Sequence, residues 1–175
     1  MSEKLELKPF DAENQEILKK EWEYIRDLAE NENGFTNNAF GISWEGFMNE
    51  YVPKRIMFST GKNLPEGFVP QTDYLLWADD KIVGMFRVRP VLNDFLRNKD
   101  GGHIGYGIVP ECRGKGFASQ GLKLALEKLK KLSADDQAIL FVHKDNPASL
   151  RVMQKNGGSV VGETEENFKV QIKLL

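Results

Sequence analysis

The sequence is poor in the residues that build disulfides and metal clusters. Among its 175 residues it has a single cysteine, Cys112, and two histidines, His103 and His143, that are well separated. One cysteine excludes an intrachain disulfide. Isolated histidines without an H-E-x-x-H pattern are not typical of a zinc site. We therefore expect a functional site that works without metal.

Long apolar runs are also missing. The longest wholly apolar stretches are short, for example residues 138–142. They are far below the roughly 20 residues that cross a bilayer. The first residues, Met-Ser-Glu-Lys-Leu-Glu, are charged and do not resemble a secretory signal. With 41% hydrophobic residues, the chain has the composition of one globular domain over residues 1–175. We expect a cytoplasmic protein that does not engage membranes.

Charge is spread along the chain rather than concentrated. The formal net charge is −2, and the modest basic cluster Lys128, Lys130 and Lys131 has the spacing of a solvated helix face. This pattern does not predict a nucleic-acid site. The slightly acidic balance favours cationic partners such as amines.

Periodicity and turn signals predict the order β, α, α, β, β, β, α, β, α, β, β. The first predicted elements are a strand over 4–9, a helix that Asp11 caps and that runs to about Glu30, where residues 31–34 break it, and a second helix after Ser43 that Pro53 interrupts. The middle of the chain is predicted to form a hairpin over 73–78 and 81–89 that turns at Asp79-Asp80, a helical turn around 93–96 and a strand over 103–109. The last predicted elements are a helix over 116–132, a strand over 138–142, a helix from Asn146 to Gly157-Gly158, and strands over 160–162 and 168–174.

This order predicts an α/β (α+β) domain with a mixed, mostly antiparallel twisted sheet flanked by helices. The unit over residues 103–142 is strand, helix, strand, so its two strands should be parallel. Aromatic residues at helical spacing between 22 and 47 are more typical of core than of an acceptor pocket.

The most informative segment is Gly105 to Ala118, where a strand stops at Pro110, a glycine-rich turn follows and an amphipathic helix begins. Backbone N–H groups at such a turn, together with the helix N-terminus, favour an anion such as a pyrophosphate. Gly114 and Gly116 allow close approach to the backbone, and Arg113 and Lys115 add positive charge.

Two other phosphate-binding motifs fit this turn less well. A Walker loop fails because Val109 stands five positions before Gly114, and Gly116 follows Lys115. Gly114-x-Gly116-x-x-Ser119 resembles a degraded dinucleotide motif, with Asp135 and Asp136 at a suitable distance. However, the alternating strands and helices of a dinucleotide fold are missing around it.

The segment Arg113-x-x-Gly116-x-Ala118 resembles the acetyl-CoA signature of the GNAT superfamily of N-acetyltransferases. The later segment Asn146-Pro-Ala-Ser149-Leu-Arg-Val-Met153 resembles the family's second conserved helix. Both occur in the family's order and on the expected elements. The stretch Gly101 to Tyr106 is also similar to a bacterial subgroup of predicted acetyltransferases.

The resemblance implies acetyl-CoA as the acyl donor and a set of residues that hold it. Backbone groups of Ile108 and Val109 would pair with the pantetheine arm, and Asn146 and Ser149 would lie near the thioester. The pyrophosphate would bind the turn formed by Arg113, Gly114, Lys115, Gly116, Phe117, Ala118 and Ser119. The resemblance also suggests a homodimer formed through the late strands.

Three residues are candidates for proton transfer. His103 begins the strand near the position where some GNAT enzymes carry a glutamate base, or it orients the loop after Gly101-Gly102. Tyr106 points into the cleft or packs in the core. Met153 stands at the position of the usual tyrosine acid and cannot donate a proton, so Ser149 is the substitute donor, or it only bonds within its helix. Cys112 is expected to be an exposed bystander.

The predicted function is acetyl transfer from acetyl-CoA to a primary amine by direct attack on the thioester. The acceptor is a small amine, such as a polyamine, or a protein N-terminus or lysine. Because Met153 departs from the pattern, a non-catalytic acyl-CoA-binding regulatory module is the first alternative. A nicotinamide-nucleotide-binding protein is the second.

Overall fold

The computed structural model describes residues 3–32 and 34–175. Within those ranges the strands are β1 (Leu5–Pro9), β2 (Asn31–Glu32), β3 (Phe35–Thr36), β4 (Thr72–Ala78), β5 (Lys81–Val88), β6 (Ile104–Ile108), β7 (Gln137–His143), β8 (Ser159–Glu163) and β9 (Asn167–Lys173). The helices are α1 (Gln15–Asp27), α2 (Trp44–Gly46), α3 (Val52–Thr60), α4 (Asp94–Asn98), α5 (Phe117–Leu132) and α6 (Pro147–Lys155). The predicted fold class, an α/β domain with antiparallel sheet flanked by helices, is confirmed.

The strands form two main antiparallel sheets that meet at one point. The first has the order β1-β4-β5-β6 and the second β7-β9-β8. The predicted β4–β5 hairpin is present, and Asp79 adopts the left-handed conformation (φ 53°) in its turn. At the meeting point the His103 backbone N–H donates to Ile139 O at 2.7 Å.

Beyond that point β6 and β7 separate. Among the described residues, backbone hydrogen bonding between the two segments is therefore limited to the one bond from His103, because β6 is the last strand of the first sheet and β7 belongs to the second. Residues of both strands beyond this contact line one cleft. The split between the two sheets creates the space for a ligand.

Two hydrophobic cores cover the two faces of the first sheet. One packs α5 and α6 against alternate residues such as Leu76, Phe86 and Ile104. The other packs α1 to α3 against Leu75, Trp77 and Met85. The predicted apolar face of α5 is confirmed, since Leu122, Ala125 and Leu129 are fully buried.

The N-terminal helices differ from the prediction in detail. Asn14, not Asp11, caps α1, and its side chain accepts from the N–H groups of Glu16 and Ile17. The helix ends at Asp27, before the predicted Glu30; Asn33, in the predicted break, lies outside the described residues. Pro53 does not end its helix, because a π-helical turn over Phe47–Tyr51 precedes it and joins α2 to α3. The wider turn accommodates the residue that lacks an N–H.

Candidate acyl-CoA site

A cleft of about 580 Å³ opens where β6 and β7 separate. Its floor is β6, one wall is formed by the glycine turn and α6, and the opposite wall by the β2–β3 hairpin and α4. The site residues predicted from sequence that line it are Tyr106, Ile108, Arg113, Gly114, Gly116, Phe117, Ala118, Ser119, Asn146 and Ser149. The chain fold thus brings both halves of the predicted motif to one cavity.

The glycine turn has the features of an anion site. Gly114 (φ 78°) and Gly116 (φ 82°) are both left-handed, and a Cβ at Gly114 would have no described residue within 4 Å apart from its chain neighbours. Gly116 is the N-cap of α5 and provides no side-chain bond to the first turn. The first N–H groups of a helix need partners from outside it. An anion held at the turn would provide those partners and benefit from the helix dipole.

The two basic residues of the turn have different positions. Arg113 donates from Nε to Ile108 O at 3.0 Å and forms an ion pair with Glu32 of β2. It therefore links the turn to the floor of the cleft and to the opposite wall. Lys115 is not among the lining residues; its ammonium lies over the Phe117 ring, 6.0 Å from the centroid.

The exposed edge of β6 is presented by Tyr106 and Ile108 rather than by Val109. The Val109 N–H donates to Val83 O across the β5–β6 pair at 3.0 Å. Because alternate residues of a paired strand bond to opposite sides, Tyr106 and Ile108 direct their backbone groups away from β5, toward the cleft. The expectation that Val109 pairs with a pantetheine arm is corrected accordingly.

Tyr106 and Ser149 form a hydroxyl pair at the base of the cleft. The Tyr106 hydroxyl lies 2.7 Å from Ser149 Oγ, and its ring stacks on Phe86 with centroids 5.2 Å apart. Burial raises the pKa of Tyr106 to about 12, so the phenol keeps its proton at neutral pH. Asn146 caps α6 by accepting from the Ser149 N–H, which fixes Ser149 opposite the tyrosine.

His103 does not reach the cleft. Its side chain is 0% exposed, Nδ1 accepts from the Ile139 N–H, and Nε2 lies 3.0 Å from Asp135. A side chain at Gly102 would collide with Ile139 O, so the glycine is what lets β7 approach and enclose the ring. Burial lowers the pKa of His103, and the hydrogen bond and charge of Asp135 offset this lowering only in part. The geometry corrects the expectation of a base and favours the orienting role.

His143 lines the cleft on the side of the β2–β3 hairpin. It ends β7, and its ring packs so closely on Gly34 that a side chain there would collide with it. The Phe35 ring lies over Gly105 and Gly107, at van der Waals distance from the place where a Cβ would stand at either residue. The hairpin therefore covers the cleft with Phe35, and His143 lies beneath the hairpin. Its two strands of two residues each give no periodic signal in the sequence.

Three further residues complete the surroundings. Met153 is buried in the α5–α6 core, at 2% exposure. Asn156 was not predicted; its amide donates to Ser119 O at 3.1 Å and so joins the end of α6 to the first turn of α5. Cys112 is buried rather than exposed, because the short helical turn at Pro110–Cys112 directs it into the core.

The acidic residue of the dinucleotide alternative lies elsewhere. Asp135 binds Arg97 (2.9 Å) and His103 (3.0 Å) and is not part of the cleft lining. A ribose held at the glycine turn would not meet it. The arrangement gives the dinucleotide alternative no support.

Comparison with known protein families identifies the family of the chain. The GNAT acetyltransferase domain matches residues 12–159 of the chain. The chain belongs to the GNAT acetyltransferase family. The matched range includes both the glycine turn and α6. As a member of this family, the GNAT protein is an acyl-CoA-dependent N-acetyltransferase. No curated protein sequence is significantly similar to it.

Solved GNAT structures share the fold at low sequence identity. A GNAT acetyltransferase from Streptococcus pneumoniae is 14% identical with a TM-score of 0.61, covering 96% of this chain and 97% of that one. Mutant forms of the spermidine/spermine N-acetyltransferase SpeG from Vibrio cholerae are 15% identical with a TM-score of 0.60, covering 97% and 94%. The N-acetyltransferase PseH from Campylobacter jejuni, in complex with acetyl coenzyme A, is 16% identical with a TM-score of 0.53, covering 97% and 99%. At these identities the likeness establishes the fold alone.

The described residues of this GNAT protein contain no helix with the length and apolar character of a membrane span. The strand β8 lies at the edge of its sheet and exposes Val160 and Val161. A dimer formed through the late strands stays a prediction.

Proposed function

We propose that this GNAT protein transfers an acetyl group from acetyl-CoA to a primary amine by direct attack of the amine on the thioester. The observation that carries this proposal is one cleft that joins an uncapped helix N-terminus, an open strand edge and a Tyr106–Ser149 hydroxyl pair. The thioester supplies an acetyl group that is already activated, so the chain needs no covalent intermediate.

The donor would lie along β6. Its pyrophosphate would accept from the N–H groups of the turn between Gly114 and Ser119, where the glycines leave room. The pantetheine arm would pair with the backbone of Tyr106 and Ile108. A backbone N–H of β6 aimed at the thioester oxygen would then stabilise the negative charge that develops there.

The two proton transfers would use opposite sides of the cleft. As the C–N bond forms and the C–S bond breaks, the amine loses one proton and the departing sulfur gains one. Ser149 Oγ, bonded to the Tyr106 hydroxyl, is placed to donate to the sulfur. His143, beneath the hairpin on the acceptor side, is placed to take the proton from the amine.

The binding-only alternative rests on Met153, and one experiment separates it from the enzyme. The purified protein is titrated with acetyl-CoA in a calorimeter and then assayed for thiol release with a panel of amines. Binding with amine-dependent thiol release supports the proposed function. Binding without release on any amine supports a regulatory module, and a lack of binding refutes both.

Removing the Tyr106 hydroxyl is expected to slow turnover. We expect Tyr106→Phe and Ser149→Ala each to lower kcat by roughly 10- to 100-fold, within the range of general acid effects, while the KM for acetyl-CoA changes little. The double variant should be scarcely slower than either single one, because the two hydroxyls act as one unit. Steady-state kinetics check this. Independent, multiplying effects would contradict a shared proton path.

Removing the His143 imidazole is expected to change the pH profile. We expect His143→Ala to lower kcat/KM by about 10-fold or more at neutral pH, and to recover part of the rate as pH rises and the amine deprotonates unaided. The matched control is His103→Asn, which should alter stability but leave the dependence of kcat/KM on pH as in the native protein. The measurement is kcat/KM across pH for both variants. If His143→Ala has the same dependence of kcat/KM on pH as the native protein, His143 is not the base.

A further inference from the structure

The acceptor end of the cleft carries an unbalanced positive charge. Arg87 lies in β5 and Arg89 directly follows the strand, where its backbone N–H still donates to His103 O. Both alternate with Met85, so they share its face, the one covered by α1 and α3. Both line the cleft. The acidic residues of the same lining are Glu32, which pairs with Arg113, and Asp100, so arginine and lysine outnumber carboxylates there.

Arg87 and Arg55 share one buried carboxylate. The Nε of Arg87 donates to Asp73 Oδ1 at 2.8 Å and a terminal nitrogen to Oδ2 at 3.2 Å, while Arg55 binds the same carboxylate from α3. The two guanidinium groups hold the pKa of Asp73 well below its usual range despite burial. One carboxylate is thus shared by two cations, and it has no charge left to offset a third.

Arg89 has neutral partners. Its Nε donates to the side-chain oxygen of Gln71 at 3.0 Å and one terminal nitrogen donates to Gly102 O at 3.1 Å. Within the described ranges, 3–32 and 34–175, no carboxylate lies within ion-pair distance of it. Burial, and then the like charge of Arg87, lower the pKa of Arg89 to about 10; it stays protonated at neutral pH.

A guanidinium group has five N–H donors, and Arg89 uses two of them on the contacts above. Arg89 lines the cleft and is half-buried there. A carboxylate fits such a group well, because a planar fork binds it through two parallel charge-assisted bonds. The register places Arg89 opposite His103, three residues along β6 from Tyr106, or roughly 10 Å at about 3.3 Å per residue.

We infer that Arg89 selects an acceptor that carries a carboxylate as well as its reacting amine. The inference rests on the proposed function, since it names the class of amine that the same site takes. It separates this protein from acetyltransferases of polyamines, whose acceptors are cations throughout and would be repelled by Arg87 and Arg89. The acceptor is a small amino acid-like molecule, with a few bonds between amine and carboxylate.

The test compares matched acceptors in the intact protein. Straight-chain ω-amino acids of increasing length are assayed beside their amides and the diamines of equal length. We expect kcat/KM to be at least about 10-fold higher for a carboxylate than for its amide, equivalent to one charge-assisted contact, and lowest for the diamine. Equal values for carboxylate and amide at every length would overturn the inference.

Variants then assign the preference to Arg89. We expect Arg89→Gln to remove the preference for carboxylates while leaving the KM for acetyl-CoA and the rates with amides nearly unchanged. Arg89→Lys keeps the positive charge but lacks the planar guanidinium group, so it should retain part of the preference for carboxylates. It also serves as a second variant in case Arg89→Gln has a folding defect. Lys99→Gln, which removes one charge beside α4 but outside the cleft lining, should have no effect. Loss of all acceptors equally in Arg89→Gln and Arg89→Lys would mean that Arg89 is structural.

A binding measurement keeps the inference independent of turnover. The same ω-amino acids and amides are titrated into the protein saturated with CoA. If no amine is ever acetylated, the proposed function fails, but tighter binding of carboxylates that Arg89→Gln abolishes would still support an anion site at Arg89. Equal binding of carboxylates and amides would reject it.

Discussion

Gly116→Asp is expected to abolish measurable binding of acetyl-CoA, lowering its affinity by at least about 100-fold, or about 2.7 kcal/mol. Gly116 is left-handed (φ 82°) and precedes the first N–H groups of α5. A side chain there strains the backbone by roughly 1–2 kcal/mol. The aspartate can also cap the helix N-terminus itself and place a negative charge where the pyrophosphate would bind. Calorimetric titration with acetyl-CoA measures the loss.

The matched control for this variant is Gly67→Asp. Gly67 has the same left-handed φ of 82° and open space where a side chain would stand, but it lies in the loop before β4, away from the cleft lining. It should suffer similar backbone strain and keep full affinity. If both variants bind acetyl-CoA as the native protein does, the glycine turn is not the pyrophosphate site. If both lose binding together with stability, strain alone explains the result.

Local signals predicted the turn and helix starts of the proposed donor half because its parts are adjacent in the chain. Gly114 and Gly116 stand between a strand end and a helix start, and each feature has a sequence cause: Pro110, two glycines and an amphipathic repeat. The Asn146-Pro147 start of α6 was equally readable, since Asn caps and Pro fits the first turn. Such features need no knowledge of tertiary contacts.

The acceptor half depends on contacts between distant segments, so the sequence did not reveal it. Phe35, from the distant β2–β3 hairpin, covers β6 at Gly105 and Gly107. Arg89 bonds the neutral groups of Gln71 and Gly102, whereas Arg55 and Arg87 share Asp73. His103 lies outside the cleft for a similar reason, because Gly102 lets β7 enclose its ring. Charge balance and burial of this kind follow from packing, and local pattern does not contain them.

A buried carboxylate outside the cleft shapes the stability of the whole domain. Glu21 on α1 is 2% exposed; its Oε1 accepts from the Asp11 N–H, while Oε2 is buried and has no partner among the described residues. Burial raises the pKa of Glu21 to about 8, from 4.5. The ionised form is therefore disfavoured in the folded state. Folding keeps a proton on this group well into the neutral range.

Glu21→Gln is expected to stabilise the protein at alkaline pH and leave it unchanged at acid pH. Because the folded pKa lies above the unfolded one, the Glu21 contribution to stability is complete below the unfolded value and is lost as pH rises through the folded value. At about 1.4 kcal/mol per unit, and with relaxation of the ionised state, the variant should exceed the native free energy of unfolding by roughly 2–4 kcal/mol near pH 9 and match it near pH 5. Urea unfolding at both pH values measures the difference. Glu23→Gln, on the exposed face of the same helix, should show no such pH dependence, and a constant difference for Glu21→Gln would mean that Glu21 folds in its ionised form.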